Sequence, residues 1–172
     1  MYNFNFQSAS SLDDAAAKLG AAEDGTVIAG GQTLLPVLKQ RLANPSDVVD
    51  LSGIAELKGI SAGADGVTIG AMVTHAEVAG SSDVPAALRA LAEGIGDPQV
   101  RNRGTLGGSI ANNDPAADYP AACLGLGATI LTDSRQIAAD DFFTGLLETA
   151  LEPGEIITAV SFPVPDKAAY AK

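Results

Sequence analysis

The sequence predicts an α+β chain built around two separate sheets, and three observations predict it. Residues 1–55 alternate short apolar runs with helix-like stretches in the order β-α-β-α-β, and helical crossovers between strands call for a small parallel sheet. Residues 56–172 begin and end on strand-like pieces with helical stretches between them, which calls for a mixed or antiparallel sheet. Each part also carries one glycine-rich turn, "VIAGGQTLLPVLKQR" in the first and "VRNRGTLGGSIANNDPAADYP" in the second, as though the two were halves of one site.

The elements follow in order. After "NFNFQ", Ser11 is a helix N-cap, Asp13 and Asp14 suit the first turn that follows, and Gly20 suits the stop. Thr26 to Ala29 reads as a buried strand, "LLPVLKQRLA" as a helix with Pro36 tolerated in its first turn, and "DVVDL" as a further strand. In the second part "GVTIGAM" is a strand, Thr74 and Glu77 have capping-box spacing, and "VPAALRALAEGI" is a helix. "PAADYPAACLGLG" is helical in part, and "ATILT" and "EIITAVSFPV" are strands separated by "ADDFFTGLLETALEPGE".

Composition narrows the partners. Hydrophobic residues make up 47% of the 172, enough to fill a core. A net charge of -11 repels nucleic acid phosphates and anionic membrane surfaces. The long charge-free stretch between Asp118 and Asp133 is interrupted by Pro120, Gly125 and Gly127 and is too short for a membrane span. The N-terminus has no basic residue before Lys18 and no compact apolar segment, so a cytoplasmic protein without a signal peptide is expected. A lone cysteine, Cys123 in "AACLGLG", holds neither a disulfide nor an iron-sulfur cluster by itself and suits a buried thiol.

The two turns carry the chemistry. In the first, a strand feeds Gly30 and Gly31 and a helix starts near Thr33 or Leu34, so several backbone N–H groups and the Thr33 hydroxyl can converge on an anion such as a pyrophosphate. The spacing is not that of a G-x-G-x-x-G Rossmann turn, and a plain tight connection is the alternative. In the second, Gly107 and Gly108 lie between the hydroxyls of Thr105 and Ser109, with Asn112, Asn113, Asp114 and Asp118 beyond. It reads as a second backbone clamp, with Asp118 accepting from sugar hydroxyls; a bulged hairpin is the alternative. His75, the single histidine, sits at a helix start and suits a capping or solvent-facing role; Arg101 and Arg103 suit pairing with acidic neighbours or a partner surface, and Arg101 alternatively backbone contacts that support the loop. No nucleophile-base-orienter set and no metal motif stands out, so any redox chemistry needs a cofactor.

Three motifs in the same order, "AGGQTLLPVLKQRLA" at 29–43, "IGAMVTH" at 69–75 and "IGDPQVRNRGTLGGSIANNDPAADYPAACLGLGA" at 95–128, followed by "EPGEIITAVSFPVP", resemble the FAD-binding medium subunit of the molybdenum hydroxylases. That family includes carbon monoxide dehydrogenase and the flavin domain of xanthine dehydrogenase. The resemblance implies a two-subdomain FAD-binding fold of the vanillyl-alcohol oxidase type. It implies that Ala29, Gly30, Gly31, Gln32, Thr33 and Leu34 hold the FAD pyrophosphate, and that Thr105, Gly107, Gly108 and Ser109 line the second clamp. Asn112 adds a polar contact, Asp118 binds the sugar portion, Ile95 packs near a ring of the cofactor, and Ile157 contacts it from the late strand. No residue is implied as catalytic.

The partners so implied are a large subunit with a molybdopterin cofactor, which oxidises the substrate, and a small subunit with two [2Fe-2S] clusters, which relays electrons. FAD then passes them to NAD, quinone or oxygen. Family members continue into a further domain, which is expected to be absent here. A self-sufficient flavin oxidoreductase of the same fold and a non-enzymatic assembly remnant are the alternatives.

Overall fold

The computed structural model describes all residues, 1–172. The first part consists of β1 (Asn5–Ser8), α1 (Leu12–Ala21), β2 (Gly25–Ile28), α2 (Leu34–Lys39) and β3 (Asp47–Asp50). Its three strands are parallel in the order β1-β3-β2, as the alternation requires. Ser11 caps α1 by accepting from the Asp14 N–H at 3.1 Å, and Asp14 pairs with Lys18 at 2.6 Å one turn on. The helix expected to continue through "QRLA" stops at Lys39, because Arg41 turns left-handed with φ 61°.

A single tight helical turn at Ala55–Leu57 leads into the second part. There follow β4 (Ile60–Ala62), β5 (Gly66–Gly70), α3 (His75–Gly80), α4 (Ala86–Glu93), α5 (Pro98–Arg101), α6 (Leu106–Asn112) and α7 (Asp118–Gly125). The chain closes with β6 (Thr129–Thr132), β7 (Gln136–Ala138), α8 (Ala139–Phe142), β8 (Phe143–Gly145), β9 (Glu148–Thr149) and β10 (Ile157–Pro163). The five-stranded sheet runs β4-β5-β10-β6-β7 and is antiparallel throughout, which settles the mixed-or-antiparallel expectation; β8 and β9 form a separate hairpin.

The larger core lies between this sheet and α3, α4, α6, α7 and α8, and includes Ile69, Leu88, Ile110, Tyr119, Ile130 and Phe162. The smaller core, around Ala15, Val49 and Ile54, is completed by Met72 and Ile156 from the later chain. Burial of these side chains ties the parallel sheet to the antiparallel one.

One polar cluster fixes an edge of the larger sheet. The Glu155 carboxylate, whose side chain is 4% exposed, accepts from Thr132, Ser134, Arg135 and the Glu152 N–H at 2.7–3.0 Å. The Arg135 guanidinium holds that carboxyl well below the usual carboxylate range. Glu155→Ala removes the acceptor shared by several donors, most of them exposed, and is expected to cost about 1–2 kcal/mol in urea unfolding at neutral pH. The Glu155 contribution is present above the ordinary glutamate range and is lost as pH falls below it.

Candidate functional site: an amide cradle resting on a second loop

The first glycine turn joins β2 to α2. None of the backbone N–H groups from Gly30 to Leu34 finds an acceptor within the chain, so five successive donors are left for something else. Gly31 has φ 73°, the left-handed conformation that lets successive amides turn toward one side. The Gln32 side-chain amide donates back to the Gly30 carbonyl at 3.2 Å, and Thr33 makes no side-chain cap bond, so its hydroxyl is free. Since α2 has only six residues, the loop amides, more than a helix dipole, are what the turn could offer an anion.

The second turn is a helix start, which overturns the hairpin alternative. Thr105 caps α6, its hydroxyl accepting from the Gly108 N–H at 3.2 Å. The Leu106 and Gly107 N–H groups donate to the carbonyls of Val73 and Ala71 at 3.1 and 2.9 Å, and the Ser109 N–H donates to Thr105. The expectation of free backbone donors here is therefore corrected: the amides of Gly107, Gly108 and Ser109 are used inside the chain. Gly107 serves close packing instead, since a Cβ there would stand 2.6 Å from the Ala71 Cβ.

The two turns do meet. A Cβ on Gly30 would lie 2.0 Å from the Arg103 carbonyl oxygen and 2.8 Å from the Gly104 Cα, and one on Gly108 would lie 3.7 Å from the Ala29 Cβ. The cradle thus rests on the Arg103–Gly104 backbone, and Ala29 faces the start of α6. Asn112 is half-buried in the last turn of α6. Its neighbour Asn113, read from the sequence only as one more polar residue of the second turn, turns left-handed at φ 44° and donates to the carbonyls of Gly145 and Glu148 at 2.9 and 2.8 Å. It therefore ties the β8–β9 hairpin to α6.

Asp118 opens α7 with its side chain 13% exposed, bonded to the Tyr170 hydroxyl and, at 2.7 Å, to the Lys172 ammonium. That bond to Asp118 pushes the Tyr170 phenol up to about 12. Lys172 also reaches the Gly94 carbonyl beside half-buried Ile95, whose own carbonyl accepts from Arg101 at 3.0 Å, the loop-supporting role expected of that arginine. Ile157 is 6% exposed and lies in the larger core.

His75 departs most from expectation. Thr74 does the capping, with the reciprocal Glu77 bond in place, while the histidine is 5% exposed. Its ring lies 5.4 Å from that of fully buried Tyr119. The His75 Nδ1 and the Tyr119 hydroxyl are both buried without a hydrogen-bond partner, each at a cost of about 1–3 kcal/mol. Burial pushes the imidazole down to about 4, partly opposed by the nearby Asp118 charge. Burial likewise pushes the Cys123 thiol up to about 12, consistent with an inert structural cysteine.

A three-stranded parallel sheet joined to a five-stranded antiparallel one, with a row of unpaired amides resting on the backbone of the second part, makes an α+β domain of a class able to hold an anionic ligand. The family model described as "FAD binding domain in molybdopterin dehydrogenase" matches residues 2–165, and the chain belongs to that family. It is 43% identical to the carbon monoxide dehydrogenase medium chain of Afipia carboxidovorans, over 95% of this chain and 59% of that one. Identity is also 43% to the nicotine 6-hydroxylase medium subunit of Paenarthrobacter nicotinovorans, over 92% and 58%. It is 32% to the xanthine dehydrogenase FAD-binding subunit of Escherichia coli, over 95% and 59%.

Among solved structures, carbon monoxide dehydrogenase from Oligotropha carboxidovorans superposes with a TM-score of 0.90 at 41% identity, over 95% of this chain and 60% of that one. Quinoline 2-oxidoreductase from Pseudomonas putida does so with 0.91 at 38%, over 95% and 60%. The chain spans about three-fifths of the length of the curated relatives it matches. No helix is long and apolar enough to cross a membrane.

The residues present fit FAD. Residues 29–34 hold no lysine or arginine, so the amide row and the Thr33 hydroxyl are the turn's own means of meeting a pyrophosphate, and they are unpaired.

Proposed function

We propose that this chain holds FAD as the flavin-carrying part of a molybdenum hydroxylase medium subunit, receives electrons from a [2Fe-2S] partner and passes them to an external acceptor. Substrate oxidation then belongs to a large molybdopterin-bearing partner, and NAD, quinone or oxygen takes the electrons. The observation that carries the reading is the row of five unpaired amides from Gly30 to Leu34, seated against the Arg103–Gly104 backbone. When bound, FAD supplies the redox chemistry; the chain's residues bind and orient it. The amides of Gly30–Leu34 hold the pyrophosphate, and the Asp118 carboxylate accepts from sugar hydroxyls. Residues 1–55 and 56–172 each contribute one side of the site.

The test is flavin retention. The purified chain is mixed with FAD, passed through gel filtration and denatured to identify the released nucleotide. Retained FAD, not FMN, is the expected result; no retention, alone or with co-expressed partner subunits, overturns the reading.

Asp118 supplies a second check. A sugar hydroxyl that reaches it displaces Tyr170 and Lys172, whose contacts are partly exposed and so worth little. Combined Tyr170→Phe and Lys172→Ala is expected to tighten FAD by about threefold at low salt, whereas Asp118→Asn weakens it. Equilibrium titration of flavin fluorescence measures both.

A further inference from the structure

We propose that His75 is a positioning residue for the flavin nucleotide: its ring forms the layer between the backbone that carries the amide cradle and the helix that carries Asp118. The inference rests on the reading of Gly30–Leu34 and Asp118 as two contacts of one FAD site. Four groups stack in sequence. Gly30 sits on the Arg103–Gly104 backbone, with room for no side chain between them. Beneath Gly104 lies the His75 ring, whose Nε2 and Cδ2 would stand 2.6 and 2.9 Å from a Cβ placed on that glycine. Beyond His75 comes the Tyr119 ring, centroids 5.4 Å apart and tilted by 41°. Tyr119 directly follows Asp118 at the start of α7.

The main chain reinforces the stack, because the His75 N–H donates to the Gly104 carbonyl at 3.0 Å and Thr74 pairs with Thr105 as an isolated bridge. A change in the thickness of the His75 layer moves Gly104, and Gly104 carries Gly30. The contact that links the ring to the cradle is Gly104, so the ring acts through the glycine backbone.

Packing alone accounts poorly for the chemistry of this layer. His75 Nδ1 and the Tyr119 hydroxyl are enclosed with no partner, and an apolar side chain of similar size would fill the same space without that penalty. If the ring sets a spacing, stability and cofactor affinity respond differently to its replacement. If it only fills space, they move together.

The experiment compares His75→Leu and His75→Phe with the unsubstituted chain at neutral pH. FAD dissociation constants come from flavin fluorescence and stability from the urea midpoint. The expected result is that leucine, which thins the layer, raises the dissociation constant about tenfold while the urea midpoint does not fall in proportion. Phenylalanine, which keeps a ring in the layer, recovers most of the affinity. Dissociation constants within about twofold of the unsubstituted chain for both variants, or losses that track the urea midpoint, overturn the inference and leave the FAD reading standing. An unsubstituted chain that takes up no FAD brings down both.

Discussion

Gly30→Ala is expected to leave a chain that retains no FAD through gel filtration. The added Cβ would stand 2.0 Å from the Arg103 carbonyl oxygen, 2.7 Å from its carbonyl carbon and 2.8 Å from the Gly104 Cα. All three are backbone atoms, so no rotamer change relieves the clash, and the turn has to lift off its support. A displacement of about an ångström is enough to spoil convergent hydrogen bonding, and the expected rise in dissociation constant is on the order of a hundredfold. Overpacking adds about 1–3 kcal/mol of lost stability.

Two other glycines calibrate the result. Gly31→Ala meets only side-chain atoms, at 3.1 Å or more, but has to hold φ 73°, so a milder loss of about 1–2 kcal/mol follows from backbone strain. Gly20→Ala meets nothing within 4 Å inside α1 and should bind FAD normally, with stability raised by up to about 1 kcal/mol. Flavin titration of the three variants, alongside urea unfolding, checks the order. A Gly30→Ala chain that binds FAD like the Gly20→Ala chain would show that the contact with Arg103 does not set the cradle.

The sequence disclosed those parts of the fold that local chemistry decides. Ser11 and the Thr74–Glu77 pair announced their helices because a cap is made within three residues. The first turn itself was legible for a similar reason: a glycine pair between an apolar strand and a helix marks a local connection whose amides precede the helix's own hydrogen-bond ladder. Long-range backbone pairing hid the rest. Whether "GTLGGSIANN" is hairpin or helix is decided by the carbonyls of Ala71 and Val73, which take the amides of Gly107 and Leu106. The elements from β7 to β9 are two to four residues long, too short for any periodicity, and Asn113 of a distant loop holds one of their turns. His75 stands directly after an N-cap, a position usually open to water, and long-range neighbours close it: Thr105 pairs with Thr74, and Gly104 and Tyr119 lie against the ring.

That burial leads to the other large expected effect, a loss of stability in mild acid that traces to one residue. In the unfolded chain His75 takes a proton near its ordinary value of 6.5, whereas in the fold burial holds the imidazole down to about 4. The folded value is the lower one, so the neutral ring's contribution is complete above pH 6.5, shrinks as pH falls and is gone once the folded ring protonates near 4. Across that window the unfolded state binds the extra proton, and the cost at the acid end is about 3 kcal/mol, a large share of a small domain's stability. Asp118, the acidic group acting on this ring, narrows the window by favouring the charged form. Urea midpoints measured from pH 7 down to pH 4.5 should therefore slope downward for the unsubstituted chain and much less for His75→Leu, which has no proton to take up at that position. The carboxylates that do not act on this ring contribute equally to both chains and cancel in the difference. Parallel slopes for the two chains would mean that the ring titrates as an exposed histidine does, and that the enclosure by Gly104 and Tyr119 opens in solution.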